Sequence, residues 1–244
     1  MRFLPFIGRR YWKSLPPYLV DNYWWAYLWK PAIWFFDHQP IIDLIVFRHY
    51  RQLVHRTLEN VSLHSGRFLQ LTCVYGELSR QLLHKCNGAT FYAVDVAEPQ
   101  LKLLKRKLNG KARLARMNTE KLAFCNACFD AVLIFFLFHE QPRTARESTL
   151  REALRVLKPN GSMYITEYAN NPRHHFLSRF RPARFTIAHL EPFLAYFWQW
   201  PVHNMVETNA ADSGKIIAKY QSTHIFNKFY QVNAFHFQPI SEDT

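Results

Sequence analysis

Residues 67–76, RFLQLTCVYG, form an apolar run held between Gly66 and Gly76, the pattern of a buried strand that runs into a tight turn. What surrounds it repeats the idea. Residues 77–86 (ELSRQLLHKC) read as a helix, and 89–96 (ATFYAVDV) as a second strand that ends at Asp95. Residues 98–110 (EPQLKLLKRKLNG) read as a helix closed by Gly110. Residues 129–138 (FDAVLIFFLF) are almost continuously apolar, as a strand covered on both faces must be. An amphipathic helix over 144–161 and a strand over 162–168 (SMYITEY) follow. Residues 215–237 alternate well enough for two closing strands, a hairpin-like pair at a sheet edge. Strand–helix alternation predicts an α/β chain with a doubly wound, Rossmann-like parallel sheet. Such sheets hold ligands outside the carboxyl ends of their strands, which singles out Tyr75–Gly76, Asp95 and Phe138–Glu140.

Composition narrows the class. The chain has 244 residues, 49% hydrophobic and 20% charged, which excludes a disordered tail and allows a sizeable core. Its net charge of +13 favours anionic partners, nucleic acid or anionic lipid. Cys73, Cys86, Cys125 and Cys128 show no disulfide framework and fit a reducing compartment. No signal peptide and no membrane-spanning run is expected, so the chain reads as soluble or peripheral.

Residues 1–60 read as an aromatic, basic helical lid, and 61–244 as the α/β domain. Trp12, Trp24, Trp25, Trp29 and Trp34 fall in the first 36 residues with Tyr11, Tyr18, Tyr23 and Tyr27. Residues 21–36 (DNYWWAYLWKPAIWFF) suit a helix interrupted at Pro31, and about 41–58 a second one. Such rings either face a lipid boundary or pack the lid on the core, and the two are compatible.

A strand–turn–helix with an acid ending the next strand suits a nucleoside cofactor. Gly76 and Asp95 stand 19 apart, near the spacing at which a carboxylate reaches ribose hydroxyls; the alternative is that Asp95 caps the next helix. Taken together, RFLQLTCVYGELSRQL, FYAVDVAEPQLKLL, FDAVLIFFLFHEQP and LREALRVLKPNGSMYITEY resemble the class I S-adenosylmethionine-dependent methyltransferases of quinone pathways, whose sheet has seven strands. Against that family's acid-x-Gly-x-Gly-x-Gly turn the chain sets Gln70, Thr72, Val74 and Gly76, so one glycine survives; Asn118, followed by Thr119, stands where an Asp usually meets the adenine. These departures, with Val74-Tyr75-Gly76, the Asn22–Leu28 segment and EPFLAYFW from Glu191, resemble the rhodoquinone biosynthesis protein family. The resemblance implies S-adenosylmethionine as amino donor, Mn²⁺ as helper, and ubiquinone as the substrate whose ring methoxy is replaced. It also implies a cytoplasmic protein peripheral on the inner membrane.

A physical reason for the altered turn can be given. A carboxylate about 4 Å from the donor ammonium, at an effective dielectric near 20, favours its protonated form by roughly 4 kcal/mol, or about 3 pKa units before screening. An ammonium has no lone pair. Neutral Gln70 removes that bias and leaves the donor amine nucleophilic. Tyr75 would orient the amine, give a proton to a quinone oxyanion, or merely fill space left by absent glycines. His139 and Glu140 are candidates as Mn²⁺ ligands or as acid and base, with a core histidine as the plain alternative; the metal ligands themselves stay open. His174-His175 read as solvated or lipid-facing, Cys125-x-x-Cys128 as structural, and Lys102, Lys105, Arg106, Lys107, Lys111, Arg113 and Arg116 as a basic helix face and the turn after it. Competing readings are a SAM-dependent O- or C-methyltransferase for a quinone precursor or another lipophilic small molecule, an RNA methyltransferase suggested only by charge, and a non-catalytic scaffold. No nucleic-acid partner is expected, and the oligomeric state is not legible.

Overall fold

In the computed structural model, residues 14–62, 65–86, 88–170 and 190–240 are described. Seven strands form one sheet in the order β3-β2-β1-β4-β5-β7-β6. β1 (Gly66–Leu71), β2 (Ala89–Asp95), β3 (Arg113–Arg116), β4 (Phe129–Phe135) and β5 (Leu157–Tyr168) are parallel. β7 (Tyr230–Pro239) lies antiparallel between β5 and β6 (Lys215–Ile225). The expected closing pair is therefore present, with its second strand placed inside the first.

The apolar run of β4 is buried on both faces, as its composition requires. On one face Phe68, Phe91 and Tyr164 stack nearly parallel, at 5.8 and 6.5 Å between ring centres. Ala131 of β4, in register with Phe68, is the small residue that leaves room for Phe68 and Tyr164 to meet. The other face is filled from Leu150, Leu154, Met163, Val206 and Phe235, all buried. Fully burying a side chain of this size contributes about 1.5–3 kcal/mol, so these two layers hold the sheet.

Among the described residues five short helices precede the sheet: α1 (Pro17–Asn22), α2 (Trp24–Tyr27), α3 (Lys30–Phe36), α4 (Gln39–Ile45) and α5 (Tyr50–Asn60). Pro31 stands in the first turn of α3, where its missing N–H costs nothing, so it opens a helix instead of interrupting one. The single helix expected over 41–58 is broken at Phe47 and Arg48, both with positive φ. α5 packs Tyr50, Leu53 and Val54 into the sheet core, so the overlying roof consists of α1–α4. Between strands run α6 (Leu78–Lys85), α7 (Glu98–Lys107) and α8 (Arg143–Val156); α9 (Leu194–Phe197) and α10 (Val202–Asp212) precede β6. α8 stops at Val156 and β5 begins at Leu157, earlier than the sequence pattern suggests. Arg113–Arg116, read as a turn, is the edge strand β3; its exposed arginines hid the strand pattern.

Candidate active site

β1, β2, β4 and β5 all end at one edge of the sheet, and α1–α4 lie across it. Between them is a cavity of about 1400 Å³ of unfilled space, its open mouth included. Thr72, Val74, Tyr75, Asp95, Asn118, Thr119, His139 and Glu140 line it, as the sequence leads one to expect. Gln70 does not.

The turn after β1 keeps a glycine's shape without the glycines. Thr72 holds φ +68°, and Phe136, at the end of neighbouring β4, holds φ +52°. For a β-branched or bulky residue that conformation costs on the order of 1–3 kcal/mol, and both strained residues border the cavity. The Gln70 amide, fully buried, donates to Thr72 O at 2.8 Å from inside the turn. Its Oε1 has no donor. Gln70 thus shapes the turn from behind, and the groups that face the cavity and fit a nucleoside cofactor are Asp95 and the turn residues Thr72, Val74 and Tyr75. Gly76 survives for a separate reason. Its φ is +76°, and a Cβ would run into the Tyr50 hydroxyl, which donates to Tyr75 O at 2.9 Å and accepts the Leu78 N–H at 3.1 Å.

Asp95 accepts N–H groups from Cys73 at 2.8 Å and from Ala97 at 2.7 Å, so it ties the turn to β2 and also caps the following chain. The Val96 N–H and the Cys73 thiol also reach this carboxylate, so ribose hydroxyls would share acceptor oxygens that already hold the turn. Burial pushes its pKa up to about 6, against the lowering effect of those amides. Asn118 accepts the Glu120 N–H at 3.0 Å, and the Thr119 hydroxyl meets that of Thr149 at 3.0 Å.

Tyr75 has its ring in the cavity wall but its hydroxyl elsewhere. That hydroxyl donates to Ala26 O and accepts from Gln100 Nε2. The proton expected to serve a quinone oxyanion is thus committed to the roof, and Tyr75 positions the turn. Asp37 and Lys107 fasten the same place: the carboxylate pairs with the ammonium and accepts the Gly76 N–H at 3.1 Å, while Lys107 also donates to Gly76 O at 2.9 Å.

Across the cavity the buried His139 Nδ1 lies 2.8 Å from Glu167 Oε2, and its Nε2 lies 3.7 Å from Glu191 Oε2. Tyr23 donates to Glu191 at 3.0 Å and Tyr27 donates to Glu140. Burial alone would lower the His139 pKa; Glu167, Glu191 and Glu140 outweigh it and push the pKa up to about 9. Burial raises both Glu140 and Glu191, neighbouring carboxylates add to it, and the charge of His139 opposes it. Donor atoms of His139, Glu140 and Glu191 all lie within 4.8 Å of one another. Ligands about 2.0–2.6 Å from an ion stand at most about 5 Å apart, so this set fits one divalent cation. Glu167 on Nδ1 would fix the tautomer that leaves Nε2 as ligand. His139 and Glu140 were legible in the sequence. Glu167, Tyr23 and Tyr27 were not singled out, although Glu167 sits near the carboxyl end of β5, where the strand-end rule applies; Glu191 was noticed only within a family segment. His174 and His175 lie outside the described residues.

A smaller polar cleft, lined by Ser14, Glu120 and Pro142 among others, shares Pro16, Tyr18 and Asn118 with the main cavity.

Comparison with known proteins agrees with this geometry. Residues 68–161 match the family described as "Methyltransferase domain". Over these residues the chain is similar to a methyltransferase domain. Its sheet is the Rossmann-like fold of the S-adenosylmethionine-dependent enzymes: a solved methyltransferase from Methanosarcina mazei superposes with a TM-score of 0.56 at 17% identity, over 75% of this chain and 97% of that one. Phthiotriol/phenolphthiotriol dimycocerosates methyltransferase 1 of Mycobacterium ulcerans is 29% identical over 55% of this chain and 51% of its own. Demethylmenaquinone methyltransferase of Thermus thermophilus is 31% identical over 45% and 50%. The chain thus spans about half the length of these curated relatives, and the matched family stops short of the roof.

Proposed function

We propose that this chain is an S-adenosylmethionine-utilising transferase acting on a lipophilic quinone, and that the group transferred is the donor's amino nitrogen, which replaces a ring methoxy of ubiquinone to give rhodoquinone. One observation carries the reading: one mainly apolar cavity joins the Thr72–Tyr75 turn and Asp95 to the His139–Glu140–Glu191 cluster. Asp95, Asn118 and the turn would hold the nucleoside end, and neutral Gln70, behind the turn, would leave the amine without a nearby carboxylate that keeps it protonated. His139, Glu140 and Glu191 would hold a Mn²⁺ ion; bound there, the ion would polarise a quinone carbonyl. Tyr23 and Tyr27 orient the two carboxylates, and the aromatic roof excludes water from the reacting ring. Addition of the amine at the methoxy-bearing carbon would form a C–N bond, and the C–O bond would then break, the methoxy group leaving as methanol with a proton from nitrogen. The donor's Cα–H would then be lost as the Cα–N bond becomes an imine, its two electrons reducing the ring to the quinol, and water would cleave the imine to the donor's 2-oxo acid and the ring amine. Such a substrate would be taken from an anionic inner-membrane surface.

Methyl transfer to a quinone precursor is the second reading, favoured by the likeness to the demethylmenaquinone enzyme. For it, His139 backed by Glu167 would serve as the base that activates the methyl acceptor.

The two are separated by incubating the purified protein with ubiquinone, Mn²⁺ and donor carrying ¹⁵N at the amine and ¹³C at the methyl. Heavy nitrogen in the ring product supports amination. Heavy methyl in a product from ubiquinone or its demethylated precursor selects the second reading, and no labelled product with any of these quinones overturns both.

A further inference from the structure

The roof carries an apolar face that no described part of the fold covers. Trp29, Trp34, Phe35, Leu44 and Ile45 are 46, 68, 46, 68 and 49% exposed. Scattered exposed apolar residues need no explanation, but four large ones on the consecutive helices α3 and α4, with Trp29 just before α3, make a cluster of the kind that marks an interaction site.

This face is continuous with the active-site cavity. Ile45 belongs to both: it is half exposed and it lines the cavity. From exposed Phe35 a row of rings leads inward. Phe35 meets Phe36 at 5.3 Å, Phe36 meets Tyr75 at 6.1 Å, and Tyr75 stacks on Tyr27 at 6.1 Å. The Tyr27 hydroxyl then donates to Glu140. Trp25, Ile42 and Val46 complete an apolar wall along this row.

Charge identifies the occupant. The acids of the stretch are engaged: Asp37 pairs with Lys107, and Asp43 accepts the Tyr50 N–H at 3.2 Å. Lys30, Arg48 and Arg51 are exposed and have no ion pair among the described residues, in a chain of net charge +13. No described helix is long and apolar enough to cross a membrane. Seven-residue helices such as α3 and α4, about 10 Å long, with aromatic and aliphatic side chains on one face and cations beside it, suit shallow insertion at a headgroup boundary.

We propose that the α3–α4 face docks on an anionic lipid surface, and that the Phe35–Phe36–Tyr75–Tyr27 row is the passage by which a lipophilic substrate leaves the lipid for the cavity. The passage rests on the quinone reading; the docking does not.

The test uses the full chain and the variant Trp34→Glu/Leu44→Glu, both residues lying outside the cavity lining. Flotation is measured with vesicles of 30% phosphatidylglycerol in phosphatidylcholine and with phosphatidylcholine alone, alongside tryptophan quenching by brominated lipid. The expected result is at least tenfold stronger binding to the anionic vesicles, with quenching, and at least a tenfold loss of both in the variant at an unchanged melting temperature. Turnover of a short-tailed, water-soluble quinone stays the same in the variant, while turnover of a long-tailed quinone in vesicles falls. Equal vesicle binding by both proteins overturns the docking. So does a wild-type dimer in light scattering that the variant lacks, without vesicle binding, because the face is then a self-contact. Anionic-vesicle binding lost in the variant, with no quinone transformed by either protein, supports the docking and overturns the quinone reading.

Discussion

The sheet edge and the roof above it meet in one cavity but are built by opposite means. At the edge, positions are set by main chain: Asp95 is held by two backbone amides, and strained Thr72 and Phe136 are held by the strands they terminate. In the roof, α1–α4 are four to seven residues long and none has a side-chain N-cap hydrogen bond. Helices so short do not stand in water on propensity. They stay because hydroxyls and rings pin them to the edge, at Tyr23–Glu191, Tyr27–Glu140, Asp37–Gly76 and Tyr75–Ala26. A sheet shared with methyltransferases thus supplies the proposed nucleoside site, while the roof supplies the groups that orient the acidic cluster.

The largest test of this contrast removes the cluster's carboxylates. Glu140→Gln and Glu191→Gln should each lower Mn²⁺ affinity by about 10–100-fold and turnover by at least as much, with circular dichroism unchanged; electron paramagnetic resonance of Mn²⁺ reads the first effect without relying on activity. Next is the contact between roof-side packing and turn. Gly76→Ala places a methyl against the Tyr50 hydroxyl in a left-handed conformation, and should cost about 2–4 kcal/mol in urea unfolding.

A third test is pH. The folded Asp95 pKa of about 6 stands above its unfolded value of 3.8. Folding therefore takes up a proton between these values, and the stability this group contributes, present below pH 3.8, is lost as pH rises through 6, by at most about 3 kcal/mol. Cofactor affinity runs the other way. Ribose hydroxyls need the ionised carboxylate, so calorimetric Kd should weaken about tenfold per unit as pH falls below 6. Smallest is Tyr27→Phe, which removes one donor from Glu140: about 1 kcal/mol of stability, a several-fold loss of kcat, and little change in KM for the cofactor.

Much of the edge was legible because strands announce themselves. The β1 run, Asp95 at the end of β2 and His139-Glu140 after β4 all follow from period, burial and the strand-end rule. β3 was missed because it is four residues long and the exposed arginines at its two ends look like a solvated face. The roof was legible as aromatic and helical, but its breaks at Phe47 and Arg48 arise from backbone conformations that no local pattern marks. Tyr23 and Glu191 are 168 residues apart in the chain, and their meeting depends wholly on tertiary packing. The side-chain placements of Gln70 and Tyr75 likewise depend on what lies behind the turn, Thr72 O for one and Ala26 O for the other.

The Asp37–Lys107 fastening reaches beyond stability. A roof bolted to the turn after β1 cannot shift without carrying that turn along, so loss of the pair would loosen both together.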